Sequence, residues 1–248
     1  MKTWLTAVSQ TLVVLIYSSL ISSADQATQP NPSPSASPGG GPPENPYYLT
    51  GNEDVWRTFP SKPALGSSVD QTDLLITLSL QASRTDDQKN EAYQDKSYTI
   101  KLVTDVIDPG FATKYPNTFG VLCNADIDSY FVNSMIKSHN GRLRPYVQHP
   151  TLVVPLFAVS DFSYPSGHAT GTELQARILG KLFPAQSDAL LNRARQIADS
   201  RVVAGVHYAS DTEAGLALDD LIFSQLETKP EFQKDLAAAA DKDQIPAK

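Results

Sequence analysis

The sequence predicts an all-α protein built as a single compact helical domain. Two observations carry that prediction. Several stretches repeat apolar residues at helical spacing. No run alternates polar and apolar residues between hairpin turns, and no segment repeats internally. Composition agrees, since 248 residues with 41% hydrophobic and 19% charged side chains can bury a sizeable core.

Residues 1–24 have the pattern of a signal peptide. Lys2 is followed by an apolar stretch that is densest from Leu12 to Ile16, and Ser22 and Ala24 place small residues at a cleavage site. Ser18, Ser19, Ser22 and Ser23 break the stretch, which favours cleavage near Ala24 over an uncleaved anchor. The expected destination is the periplasm or the medium. Residues 25–47 are rich in Pro, Ser and Gly and are expected to form a disordered tether. The helical domain is expected to fill residues 48–248. No later segment reaches the length of a membrane span, so stable membrane insertion is not expected. Cys123 is the sole cysteine and has no internal disulfide partner.

Within the domain, residues 73–83 suit a helix that continues into the polar stretch after Arg84. A second helix is expected over 124–137, on Ile127, Phe131 and Ile136. A third runs from Thr170 to Phe183, with Leu174, Ile178 and Leu182 four residues apart. A fourth spans Asp188 to Val203. A fifth spans Asp211 to Leu226, opened by a capping box from Ser210 to Glu213. The last, Pro230 to Ala240, starts with proline in its first turn.

The formal net charge of −7 argues against nucleic-acid binding, which needs a basic face. It leaves room for a local cationic pocket. Three segments concentrate the residues for one: Lys137 to Pro145, Pro165 to His168, and Ser200 to Asp211. A transferring phosphoryl group spreads negative charge over three oxygens and needs fixed cations and hydrogen-bond donors. Arg144 and Arg201 offer planar forks and Lys137 a point charge. Ser166 and Gly167 precede an expected helix start, where a hydroxyl and free backbone N–H groups suit an anion. His207 and Asp211 are four apart, so the carboxylate can steady one ring nitrogen while the other faces phosphorus. Gly205 suggests that the chain breaks there, so a loop can bring Arg201 and His207 into one pocket. His168 remains as the acid for a leaving group. Taken singly, each of these residues is more often a surface or structural group. His139, His149 and Asp161 lack such company and are expected to be structural.

Together the segments follow Lys-x6-Arg-Pro, Pro-Ser-Gly-His and Ser-Arg-x5-His-x3-Asp at every fixed position. This set resembles the type 2 phosphatidic acid phosphatase superfamily. Ser163-Tyr164 and the stretch Gly205 to Gly215 are similar to its bacterial class A non-specific acid phosphatases. Phe162, Ala169, Tyr208 and Ala209 depart from that branch outside the motifs. The resemblance implies an all-helical fold and an exported acid phosphatase of broad specificity for phosphomonoesters. His207 would carry a phosphohistidine and His168 would act as acid and then base. Phosphate would be held by Lys137, Arg144, Ser166, Gly167 and Arg201, with no metal or other cofactor. The implied partners are small phosphomonoesters, inorganic phosphate and vanadate as an inhibitor, and self-association is left open. Three rivals share the motifs or part of them: a vanadate-binding haloperoxidase, a lipid-phosphate phosphatase, and a phosphate binder without turnover.

Overall fold

The structure is a computed structural model that describes residues 45–50 and 55–245. The expected signal peptide and most of the expected tether lie outside the described residues. Eleven α-helices and one 3-10 turn make up the regular structure, and no strand occurs among the described residues. The expected all-α architecture is what is observed.

A short turn, α1 (Val55–Thr58), precedes α2 (Ser68–Ser83) and α3 (Asp86–Gln94). The single helix expected through Arg84 is therefore two. Arg84 is extended, and Thr85 and Gln88 form a capping box in which side chain and backbone exchange hydrogen bonds, so a new helix starts there. Two short turns follow, α4 (Lys101–Thr104) and α5 (Phe111–Lys114). Then comes the longest helix, α6 (Pro116–Asn140), with proline in its first turn. After the turn α7 (Pro145–Gln148), the chain enters α8 (Gly167–Leu182), α9 (Ser187–Val203), α10 (Ala209–Glu227) and α11 (Pro230–Lys242).

Helix α8 is the axis of the fold. It packs against α9, α10 and α6. Residues 169–176 are all buried, so this helix is enclosed on every side rather than along one stripe. Its closeness to α10 depends on Gly215. A Cβ there would sit 2.6 Å from the Ser166 carbonyl oxygen and 2.8 Å from the Ala169 Cβ. The first turn of α8 is thus held against α10 by a contact that no larger residue permits.

The capping box expected at Ser210 is displaced. Helix α10 begins at Ala209, and the Asp211 carboxylate accepts from the Tyr208 N–H at 2.9 Å. Ser210 instead donates its hydroxyl to Asp73 on α2, and Glu213 pairs with Arg195 at the surface. Tertiary partners claimed the two side chains that local pattern assigned to the cap. At the other end of the domain, the backbone N–H groups of Tyr47, Tyr48 and Leu49 converge on the Asp128 carboxylate of α6, and Tyr48 stacks edge-on against Phe232.

Candidate active site

Helix ends and the loops beside them bring the three segments to one place. Helix α6 ends at Gly141, whose φ of 57° turns the chain sharply after Lys137. Arg144 follows as the N-terminal flank of α7. Arg201 lies in the last turn of α9, and Gly205, with φ of 71°, swings the chain so that His207 returns toward it. Gly167 and His168 open α8. The result is a cavity of about 260 Å³ lined by Lys137, Arg144, Asp161, Gly167, His168, Arg201 and His207, with Tyr98, Asp126 and Tyr130 on another wall.

His207 is buried with both ring nitrogens engaged. Arg144 Nη1 lies 3.1 Å from Nε2. A guanidinium has only donors, so Nε2 presents its lone pair and the proton sits on Nδ1. On that side, Nδ1 is 3.5 Å from Asp211 Oδ2 and 3.4 Å from the Ser163 hydroxyl, which donates to the same carboxylate oxygen at 2.5 Å. The backing anticipated from Asp211 is present, with Ser163 wedged into it. The other Asp211 oxygen accepts from Arg142 at 2.6 Å, and Arg142 also reaches Asp73 at 2.8 Å. Arg142 stacks over Tyr208 at 4.1 Å. A buried chain of alternating charge thus runs from α2 to the imidazole.

The cations are buried rather than solvated. Arg201 is only 1% exposed, bonds the carbonyls of Asp95 and Lys96, and lies over Phe157. Burial, then the nearby Arg144, pulls its pKa down to about 9. Lys137 is pulled down to about 8, chiefly by burial, although Asp161 opposes the shift. His207 and His168 are both held well below the usual imidazole range, first by burial and then by the surrounding arginines and Lys137. Burial and the cations thus favour the neutral form of both rings. The charge pattern calls for an anion.

His168 shares the cavity. Its ring stands edge-on to Tyr98, with centroids 5.4 Å apart, and its buried Nε2 has no hydrogen-bond partner. Tyr98 in turn donates to Asp126, whose carboxyl is pushed up by burial. Ser166 is placed differently from the other expected ligands. Its hydroxyl caps α8 by accepting from the Ala169 N–H at 3.4 Å, and it is absent from the cavity wall. Gly167 does line the wall. His139 and His149 stay outside the cavity wall, as expected.

Comparison with known proteins places this geometry. The chain is 30% identical over 157 residues to a non-specific acid phosphatase of Salmonella typhi, a match covering 59% of this chain and 63% of that protein. The chain thus spans somewhat less than two thirds of that relative. A transmembrane PAP2-type phosphatidylglycerolphosphate phosphatase from Bacillus subtilis shares the fold with a TM-score of 0.51 at 19% identity, over 68% of this chain and 88% of that one. The chain is thus similar in sequence to non-specific acid phosphatases and shares the fold of a PAP2-type phosphatase. A bacterial vanadium-dependent iodoperoxidase also shares the fold, with a TM-score of 0.58 at 16% identity over 77% of this chain and 60% of that one. No family model matches the chain. Among the described residues no helix is long and apolar enough to cross a membrane, and no group of three metal-ligating side chains is assembled.

Several residues of this site were not singled out as site residues in the sequence. Asp161, expected to be structural, lines the cavity and pairs with Lys137 and Arg144. Arg142 and Ser163 bond the Asp211 carboxylate, and Asp73 in turn accepts from Arg142, so three separate stretches of chain meet behind it. Ser163 was noted only as part of a resemblance, and Arg142 had a usable cue. It lies two residues before Arg144, inside the first motif, in a stretch where an extended chain alternates its faces.

Proposed function

We propose that the protein is a phosphatase that transfers the phosphoryl group of a phosphomonoester to His207 Nε2 and then to water. The observation that supports this most strongly is the His207 ring. One nitrogen offers a lone pair beside Arg144 in a cationic cavity, and the other is backed by Asp211 and Ser163. Lys137, Arg144 and Arg201 would balance the charge on the three equatorial oxygens. As the P–O bond to the leaving group breaks, His168 would donate a proton to the departing oxygen. It would then take one from the water that attacks the phosphohistidine. Asp211 would stabilise the positive charge that grows on the His207 ring.

Burial and the neighbouring cations favour neutral His168, and it must carry a proton to act as an acid. The negative charge of a bound phosphate opposes the pull of the cations and favours its uptake. This supports an acidic working range. The same reading carries export, with cleavage near Ala24, and inhibition by vanadate as a mimic of pentacoordinate phosphorus.

The test is single-turnover labelling of the mature chain with a radioactive aryl phosphate, quenched in alkali. Acid-labile, alkali-stable label on the wild type and none on His207→Ala is the expected outcome. Turnover should fall by about 10⁴-fold or more in that variant. Hydrolysis that survives in His207→Ala, or label on another residue, would refute the assignment. A panel holding a nucleotide, a sugar phosphate, an aryl phosphate and a phosphatidate separates a broad phosphomonoesterase from a lipid-phosphate enzyme.

A further inference from the structure

The cations assigned to phosphate are already occupied by the protein itself. Arg144 donates from Nε to the Asp161 carbonyl at 2.8 Å, from Nη1 to the Val206 carbonyl at 2.6 Å, and from Nη2 to the Asp161 carboxylate and the Phe162 carbonyl. Lys137 Nζ donates to the Phe162 carbonyl and lies 3.2 Å from Asp161 Oδ2. One carboxylate therefore bridges two cations through its two oxygens, as two oxygens of a phosphoryl group would.

Among these acceptors Asp161 stands apart. Val206 is buried and Phe162 contributes a backbone oxygen, whereas the Asp161 side chain is 45% exposed, charged and on the cavity wall. It precedes α8 on an irregular segment, so a change of side-chain rotamer can release both cations without disturbing a helix. Burial raises the Asp161 carboxyl, but Lys137 and Arg144 outweigh it and hold the group well below the ordinary carboxylate range. Mild acid therefore leaves the bridge intact.

We propose that Asp161 is a tethered competitor for the phosphate subsite, a carboxylate that an incoming phosphoryl group displaces from Lys137 and Arg144 and that re-forms the bridge when phosphate leaves. The proposal rests on the phosphatase reading. A scaffold role for Asp161 makes the opposite prediction, because a carboxylate that merely orients the two cations would help them bind phosphate. As a competitor, it weakens binding of every oxyanion and speeds release of the product.

Calorimetric titration of inorganic phosphate into the mature wild type and Asp161→Asn decides between them. Asn keeps the size and loses the charge. We expect phosphate to bind about 10- to 100-fold tighter in Asp161→Asn, the worth of one or two charge-assisted hydrogen bonds. Its inhibition constant as product should fall by the same factor. Asp161→Ser, which also removes the charge, should match the sign of the change, and thermal melting checks that each variant is folded. Unchanged or weaker phosphate binding in folded variants, with binding by the wild type, overturns the competitor and leaves the phosphatase reading standing. Absence of both phosphate binding and hydrolysis in the wild type overturns the two together.

Discussion

The first turn and the middle of α8 lie among opposite kinds of charge. At its N-terminus, Lys137, Arg144 and Arg201 surround neutral imidazoles and outnumber the carboxylates beside them. Further along, Glu173 and Arg177 face Asp219 and Asp220 of α10, and a single cation serves three acids. Arg177 is 2.5 Å from Asp219 and from Asp220, and 3.9 Å from Glu173. Asp219 is fully buried, and burial pushes its pKa up to about 8 despite Arg177. At the cationic end the same physics pulls Lys137 down to about 8. Burial drives every group toward neutrality, yet the remedies differ. An excess of cations is relieved by binding an anion, whereas an excess of acids is relieved by binding protons. The first requires an opening, and a cavity lies beside the cations.

The largest break in this comparison should come from His168. His168→Ala should slow hydrolysis of alkyl phosphates by about 10²–10⁴-fold, the usual worth of a general acid, and of nitrophenyl phosphate far less. Equal losses on both substrates would remove His168 from the leaving-group side. The proton that it needs sharpens the contrast. Titration of vanadate in buffers of different ionisation enthalpy should show proton uptake on binding, because the bound anion offsets the cations.

A smaller effect is expected from Arg142. Arg142→Lys keeps a charge between Asp73 and Asp211 but loses the fork that bonds both. The turnover number should fall about 10-fold with little change in KM, since the carboxylate behind the nucleophile shifts while the phosphate ligands stay. An NMR signal from the His207 Nδ1 proton that moves in Arg142→Lys would report the same loss of positioning. A KM effect without a change in turnover would contradict it.

The smallest effect concerns stability at the acidic cluster. Folded Asp219 keeps its proton up to about pH 8. The unfolded chain releases it near pH 4. Between these values the folded state binds more protons, so stability falls as pH rises from about 4 to about 8. Asp219→Asn mimics the protonated form. It should raise the melting temperature at pH 8 by a few degrees, about 1–2 kcal/mol, and change it little at pH 5. The same shift at both pH values would show that the effect is packing and not titration. Phosphatase activity should be unaffected, since Asp219 is outside the cavity wall.

Apolar periodicity identified each long helix from α6 onward because one face of each must leave water, and that requirement is local. It failed at Arg84, where a capping box starts a second helix although both stretches favour helix. It failed again at Ser210, whose hydroxyl found Asp73 across 137 residues of chain. Lys137, Arg144, Gly167, His168, Arg201 and His207, singled out by residue type and spacing, line one cavity. Ser166 was legible as a helix-start residue, and that is how its hydroxyl is used.

By itself the sequence determined the helical class, the cationic character of the pocket and the pairing of His207 with Asp211, since these follow from short-range periodicity and from which side chains can carry the charge. Only the tertiary structure decided that Asp161 bridges Lys137 and Arg144, and that Arg142, Ser163 and Asp73 stand behind Asp211. Those partners lie far apart along the chain or in irregular segments without a period. Their meeting depends on how α6, α8, α9 and α10 pack, down to the single glycine that lets α10 touch the start of α8.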